Sequence, residues 1–171
     1  EGLMAAPARE LNRGFLSRME RGRPWVRVKL AASLDGRTGM PDGTSKWITG
    51  AAAREDVQHW RARAGAILTG AGTVLADDPM LTVRLADTDV QPPLRVVLDA
   101  QLRSLHCERV RQGGAPTLYL HGPDVTAPTL ADAAFAAVPV AGRHLDLHAV
   151  LALLADRGIN EVHTEAGATL A

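Results

Sequence analysis

The chain has 171 residues, 46% of them hydrophobic, which is enough for one domain with a hydrophobic core. Its 19 lysines and arginines balance its 19 aspartates and glutamates, so its net charge gives no reason to expect binding to nucleic acid or to an anionic membrane. The single cysteine, Cys107, excludes an internal disulfide, and without a secretion signal or membrane span in the sequence we expect a cytoplasmic protein.

The first predicted element is an amphipathic helix over residues 3–21, where apolar residues recur at helical spacing. Pro24 ends this segment, because proline cannot continue the hydrogen bonding of a helix. Alternating apolar and charged residues over 25–33 then predict a strand that carries Lys29.

The second predicted helix runs from Thr49, its expected N-cap, to a stop at Gly65. The remaining predicted elements are strands over 66–69, 94–98, 117–120, 138–140 and 159–165, a short helical turn after 70–73, and helices over 130–136 and 146–157. Asp146 lies near the start of the last helix and Gly158 ends it. Because strands alternate with helices, we expect an α/β fold with a mostly parallel central sheet flanked by helices.

The end of the first strand has the composition of a ligand site. Lys29, Ser33 and Asp35 precede Gly36, where a backbone can approach a ligand closely. A core strand needs none of these polar groups, so we interpret the segment from Lys29 to Thr49 as part of a binding site.

Two glycine-containing segments follow predicted strands, at 70–73 and around Gly167. Such a segment suits a phosphate, because it exposes backbone amides where a helix begins. The first is incomplete as a dinucleotide motif, since Leu75 stands where G-x-G-x-x-G has its third glycine. A nucleotide site and a purely structural turn both remain open.

Several single residues also allow two interpretations. Asp77 could act as an acid, bond a ribose or simply end a helix, and Arg61 and Arg84 could clamp a phosphate or lie in solvent. Trp47 could stack on a planar ring or anchor a loop. The six histidines lack the spacing of metal ligands, so we interpret them as structural or exposed and expect no metal site.

The segments 23–38 (RPWVRVKLAASLDGRT), 45–49 (SKWIT), 66–79 (AILTGAGTVLADDP) and 162–170 (VHTEAGATL) resemble the reductase domain of the bacterial bifunctional riboflavin biosynthesis proteins, the RibD family. The resemblance implies a dihydrofolate-reductase-like fold and NADPH-dependent reduction of 5-amino-6-(5-phosphoribosylamino)uracil to the ribitylamino phosphate. It implies a reductase domain over 24–171, truncated at its C-terminus, after a tail over 1–23 that resembles the end of a zinc deaminase domain.

The resemblance also implies roles for individual residues. The groups expected to hold the opened ribose, and so to act in catalysis, are Lys29 and Glu165. The positions expected to contact substrate are Ser45, Arg61, Leu81 and Arg84. The positions expected to contact NADPH are Ala31, Trp47, Thr49, Thr73, Asp77, Ala100 and Gly167, with Arg95 and Arg103 available to a 2′-phosphate.

Three alternatives stay open at this point. The substrate could be the undeaminated diaminopyrimidinone ribosyl phosphate, or the chain could bind a nucleotide without turnover. Dihydrofolate reductase activity rests on the shared fold alone. The expected partner is a small pyrimidine ribosyl phosphate rather than nucleic acid or membrane, and a homodimer is left open.

Overall fold

The computed structural model of the chain describes residues 2–45, 47–86, 89–167 and 169–170. Its strands are β1 Trp25–Lys29, β2 Ala66–Gly70, β3 Leu94–Leu98, β4 Thr117–His121, β5 Ala134–Ala137, β6 Val140–Ala141, β7 His144–Leu145 and β8 Glu161–Glu165. Its α-helices are α1 Ala5–Leu11, α2 Arg13–Arg21, α3 Ala51–Arg63, α4 Ala71–Asp77 and α5 Leu147–Asp156, and Arg109–Arg111 forms a single 3₁₀ turn.

The central sheet has six strands in the order β1-β8-β2-β3-β4-β5, and every neighbouring pair is parallel. The last strand, β8, is inserted between β1 and β2. Strands β6 and β7 form a separate antiparallel pair. The predicted α/β fold with a mostly parallel sheet is therefore confirmed.

Helices cover both faces of this sheet. On one face, Val150 and Leu154 of α5 pack with buried residues of β2, β3, β4 and β8. On the other face, Val74 of α4 packs with Ile67 of β2 and Tyr119 of β4. Helix α3 lies on this second face too. The connections from β1 to β2 and from β2 to β3 therefore cross one face of the sheet, through α3 and α4. The connection that returns to β8 crosses the other face, through α5, as right-handed crossovers require.

The last predicted helix and the last predicted strand are both confirmed, and their observed bounds nearly match the predicted ones. Helix α5 starts after Asp146, whose carboxylate accepts the backbone N–H of His148 at 2.8 Å and of Ala149 at 3.4 Å. It ends before Gly158, which takes a φ of 82°. The glycine conformation and the acidic N-cap are local features, so they were readable from the sequence.

The predicted helix over 130–136 is wrong. Residues Ala134–Ala137 form β5, an edge strand that pairs with β4. Phe135 stacks on Tyr119 with ring centroids 5.6 Å apart. An alanine-rich segment has helical propensity, but pairing with β4 overrides it. The strand predicted over 138–140 is displaced to β6.

The first half of the chain differs from prediction in three places. The helix over 3–21 is two helices, separated at Asn12, whose side-chain amide bonds the carbonyl oxygen of Ala8. The strand that starts at Trp25 stops at Lys29, where β8 also ends, because β1 pairs with no other strand among the described residues. Thr49 is not the N-cap of α3; Gly50 is, without a side-chain hydrogen bond.

The glycine segment at 70–73 does not form the predicted turn between a strand and a helix. Gly70 is extended, with a φ of −101°, and α4 begins at Ala71, so Gly72 and Thr73 lie within its first turn. Strand β2 therefore passes directly into the helix.

Helix α2 docks against the edge of the sheet at which the strands begin. Arg18 donates from Nε to the side-chain oxygen of Asn160 at 2.7 Å, and Ser17 bonds the carbonyl of Arg23 at 2.9 Å. Gly14 approaches the chain closely: a Cβ there would lie 2.5 Å from Cγ of Glu161. The domain boundary at 23 stays a prediction. No helix within the described residues is long and apolar enough to cross a membrane.

Candidate active site at the carboxyl edge of the sheet

The last residues of β1 and β8 lie side by side. Lys29 ends β1, Glu165 ends β8, and the two are register partners in the parallel ladder. Parallel strands all end at one edge of a sheet, and open α/β sheets bind ligands beyond that edge. The sequence places Lys29 and Glu165 136 positions apart, and the insertion of β8 next to β1 brings them together.

Arg61 forms a two-pronged ion pair with Glu165. It donates from Nε to Oε1 at 2.5 Å and from Nη2 to Oε2 at 2.8 Å. The two side chains are only 10% and 12% exposed. Arg61 comes from the last turn of α3, which packs over β8. Such a paired geometry fixes the plane of the carboxylate as well as its position.

This environment keeps Glu165 ionised. Burial by itself raises the pKa of Glu165, but the two hydrogen bonds and the charge of Arg61, with His163 close by, outweigh it and lower the pKa to about 2. The carboxylate is therefore a hydrogen-bond acceptor and an anion at neutral pH, not a proton donor. Lys29 is half-buried beside it and has no ion-pair partner within the described residues.

Arg61 also ties Glu165 to the loop that carries two predicted substrate positions. Its third donor, Nη1, bonds the carbonyl of Thr82 at 2.7 Å. Gln58, one turn earlier on α3, accepts the backbone N–H of Arg84 at 3.0 Å. Leu81 is buried, at 3% exposure, with a positive φ of 50°. The loop is thus held rigidly while the side chain of Arg84 stays exposed.

Arg95 fastens the other side of this loop. Fully buried in β3, it donates to the carbonyls of Met80 at 3.1 Å, Gln112 at 2.5 Å, and Ala115. The expectation that it is available to a 2′-phosphate is wrong, because its guanidinium lies inside the protein. Arg103 is exposed and stays available.

The predicted NADPH positions form a second group near the ends of β2 and β8. Thr73 is half-buried in α4 and Asp77 is exposed at its last residue. A Cβ added at Gly72 or Gly167 would meet no atom within 4 Å. Open space at these glycines allows a ligand to approach the protein backbone closely.

A third group lies in the segment between β1 and α3. Trp47 is 74% exposed, and the guanidinium of Arg54 lies 4.6 Å from its ring centroid. Arg54 also bonds the carbonyl of Thr49 at 2.5 Å. Ser45 is exposed and Ala31 is half-buried. The contacts of these residues are local, and none joins them to Glu165 within the described part of the chain.

Ala100, the remaining predicted NADPH position, follows β3. It is half-buried, and its carbonyl accepts the backbone N–H of Gly122 at 3.0 Å.

Two residues of the site were missed from the sequence. His163 lies two positions before Glu165, so both side chains point to the same face of β8, and Nε2 is 3.4 Å from Oε1. Gln58 precedes Arg61 by three positions on α3, which places it on the same helix face. The periods of a strand and a helix could have indicated both residues.

The comparisons with known proteins agree with this architecture. The family model described as the RibD C-terminal domain matches residues 24–171. The riboflavin biosynthesis protein RibD of Escherichia coli is 41% identical over 181 residues, which cover 99% of this chain and 49% of that protein. The chain thus spans about half the length of the curated relatives it matches.

Solved structures extend the likeness to the fold. A solved structure of Acinetobacter baumannii RibD has a TM-score of 0.77 at 42% identity, over 95% of this chain and 45% of that one. A diaminohydroxyphosphoribosylaminopyrimidine deaminase/5-amino-6-(5-phosphoribosylamino)uracil reductase from Thermotoga maritima has a TM-score of 0.79 at 30% identity, over 98% and 45%. The dihydrofolate-reductase-like fold is confirmed, and the chain belongs to the RibD C-terminal domain family.

Proposed function

We propose that this chain reduces 5-amino-6-(5-phosphoribosylamino)uracil to 5-amino-6-(5-phosphoribitylamino)uracil with NADPH, a step of riboflavin biosynthesis. The observation that carries the proposal is the juxtaposition of Lys29 with an ionised Glu165 at the carboxyl edge of the sheet. The Thermotoga relative bears the name of this reductase. Membership of the family supports the same reaction class.

The reaction needs an electrophilic carbon at C1 of the ribose and an anion beside it that stabilises positive charge. Opening of the ribose leaves an imine at C1, which becomes more electrophilic as its nitrogen gains a proton. Glu165 stays ionised, so it stabilises that positive charge and accepts hydrogen bonds from ribose hydroxyls. Lys29, the register partner of Glu165, would donate hydrogen bonds to the same hydroxyls.

The loop over 79–85 supplies the substrate end of the site. Arg61 is occupied by Glu165 and Thr82, so its first role is to hold that carboxylate and the loop in place. Arg84 is exposed and its guanidinium suits the substrate phosphate. We assign the phosphate contact to Arg84 and a positioning role to Arg61.

The cofactor fits the open glycine positions. NADPH supplies a hydride when bound, and the residues that would hold it are Thr73, Asp77 and the backbone around Gly167. At Gly72 and Gly167 an added Cβ would meet no described atom within 4 Å, so a ligand can reach the backbone there. Trp47 and Thr49 would contact the same cofactor from the segment before α3.

The direct test follows NADPH oxidation by its absorbance. The chain, in parallel with any longer product that its gene encodes, is mixed with the aminouracil substrate and separately with its undeaminated diaminopyrimidinone counterpart. Oxidation with the first substrate alone supports the proposal, and oxidation with the second alone replaces it by the alternative substrate. Tight NADPH binding without oxidation of either would instead indicate a binding module.

A substitution at Lys29 tests the site itself. We expect Lys29→Ala to lower kcat/KM by about 100-fold, because one charged hydrogen-bond donor near the reacting centre is lost. The thermal unfolding temperature should change little, since Lys29 has no ion-pair partner within the described residues. Arg143→Ala, an exposed change in the turn between β6 and β7, is the control and should retain full activity. Full activity of Lys29→Ala would remove its assigned role.

We place this reaction in the cytoplasm. The buried, unpaired Cys107 is compatible with a reducing compartment. Sedimentation of the purified protein over a range of concentrations would decide whether the homodimer left open by the resemblance forms.

A further inference from the structure

His163 is a buried histidine next to the proposed catalytic carboxylate. Its side chain is 2% exposed, on the face of β8 that α3 covers. Its register partners are Arg27 on β1 and Ile67 on β2. The guanidinium of Arg27 is turned onto the ring of Trp60, with 3.6 Å to the centroid.

Neither ring nitrogen of His163 has a hydrogen bond of normal geometry within the described residues. A neutral imidazole carries one N–H donor and one acceptor, and leaving both unpaired in a protein interior is unfavourable. An apolar side chain would fill this space without burying unpaired polar atoms. We therefore ask which hydrogen bond the ring of His163 could form.

The acceptor within reach is Glu165. The distance from Nε2 to Oε1 is 3.4 Å, slightly longer than the usual upper limit of about 3.2 Å for such a bond. Oε1 already accepts Nε of Arg61, yet a carboxylate oxygen has a second lone pair. A shift of a few tenths of an ångström would complete the bond from His163.

The charged groups around His163 also favour this pairing. Glu165 is the only carboxylate that the described contacts place near the ring, while Arg61 from α3 and Arg27 from β1 are cations and β2 contributes the apolar Ile67. With cations on two sides and one anion in front, the ring is oriented with its Nε2–H toward the carboxylate.

We propose that His163 is a positioning residue for Glu165, which donates its Nε2–H to Oε1 and thereby holds the carboxylate in place together with Arg61. The two donors come from different elements, β8 and α3, so the carboxylate is held from two directions. The kinetic part of this inference rests on the proposed function, whereas the hydrogen bond itself does not.

Nitrogen NMR of the histidine side chains tests the bond without turnover. We expect Nε2 of His163 to carry a proton, and the ring signals to move in Glu165→Gln. His121 is an internal reference of opposite kind, because its Nδ1 lies 2.8 Å from the carbonyl of Gly122 and must carry the proton to bond it. An Nδ1–H tautomer at His163, or signals unchanged in Glu165→Gln, would overturn the proposal.

Kinetics test the positioning role in whichever form of the protein turns over. His163→Leu should lower kcat/KM by about tenfold, the effect of one hydrogen bond to a charged group, and move the acidic limb of its pH profile to higher pH. His163→Gln keeps an amide donor near the same place and should restore most of the loss. A folded His163→Leu protein with unchanged kcat/KM and pH profile would contradict the role.

The outcomes separate this inference from the proposed function. If no form of the protein oxidises NADPH, the reductase proposal fails while the tautomer measurement still decides whether His163 bonds Glu165. If the protein is active and the tautomer is wrong, only the role of His163 fails.

Discussion

Glu165 shows how much of this site depends on the surroundings of one residue. A glutamate at the end of a strand is an ordinary carboxylate, but here an arginine on α3 and a histidine on its own strand both lower its pKa. Their combined effect exceeds the burial that would otherwise raise it. The result is a fixed anion in a site where a positive charge is expected to develop.

This pKa predicts how stability depends on pH. A depressed pKa means that the folded state binds a proton less readily than the unfolded state, whose glutamate titrates near 4.3. The contribution of Glu165 is therefore fully present above about pH 4.3 and is lost as pH falls toward 2. We expect it to amount to roughly 3 kcal/mol of unfolding free energy at neutral pH.

Urea unfolding between pH 2 and 7 measures this contribution. In Glu165→Gln that part of the acid sensitivity should disappear, whereas Glu161→Gln, at the other end of β8, should retain it. An equal loss of stability with falling pH in the wild type and in Glu165→Gln would contradict the prediction.

Arg95 is a second residue whose role depends on the segments that the fold brings next to it. It bridges carbonyl groups of the loop over 79–85 and of the segment before β4. We expect Arg95→Lys to lower the unfolding free energy by about 2 kcal/mol or more, because a lysine ammonium cannot reach three carbonyls in this fork. Arg103→Lys, at an exposed position, should change it by less than about 0.5 kcal/mol, as measured by urea unfolding.

At the scale of elements, α5 and β5 show where sequence patterns are reliable. Helix α5 has an acidic N-cap, an apolar face and a terminal glycine, all local features that agree with one another. Strand β5 is an alanine-rich tetrapeptide whose only strong strand former is Phe135. Its conformation is determined by β4, a segment with which it has no local sequence relation.

The N-cap of α5 provides a matched test at this scale. Asp146→Ala should lower the unfolding free energy by about 1 kcal/mol, because the N–H groups of His148 and Ala149 lose their acceptor. Asp146→Asn keeps an oxygen acceptor and should be nearly neutral. Thermal unfolding of the two variants distinguishes them, and equal losses would argue against the cap.

At the scale of the whole molecule, the face of the sheet that α5 packs against is covered less well at β1 than at its centre. Strand β1 presents Val26 and Val28 toward the face that α5 covers elsewhere, yet they are 37% and 49% exposed. The buried cluster on that face ends at β8, with Val162 at 1% exposure. The core is therefore centred on β2, β3 and β4 rather than on the edge strand.

This asymmetry predicts different tolerance of the same substitution. Val96→Thr in β3 places a hydroxyl in a fully buried position and should lower the unfolding free energy by about 2 kcal/mol. Val28→Thr in β1 should change it by less than about 0.5 kcal/mol, because that side chain already meets solvent. Urea unfolding of both variants checks the ranking, and equal losses would contradict it.

The sequence by itself determined the α/β class, most strand positions and the capped last helix. It also indicated Lys29 and Glu165, at the ends of β1 and β8, as residues of the site. These follow from local periodicity, from turn and cap chemistry, and from motifs shared with a family. Only the tertiary structure decided that β8 inserts beside β1, that Arg61 pairs with Glu165, that Arg95 is internal and that His163 faces the carboxylate. Each of these joins residues far apart in the chain or depends on burial, and pairing and burial are properties of the folded molecule rather than of a local sequence window.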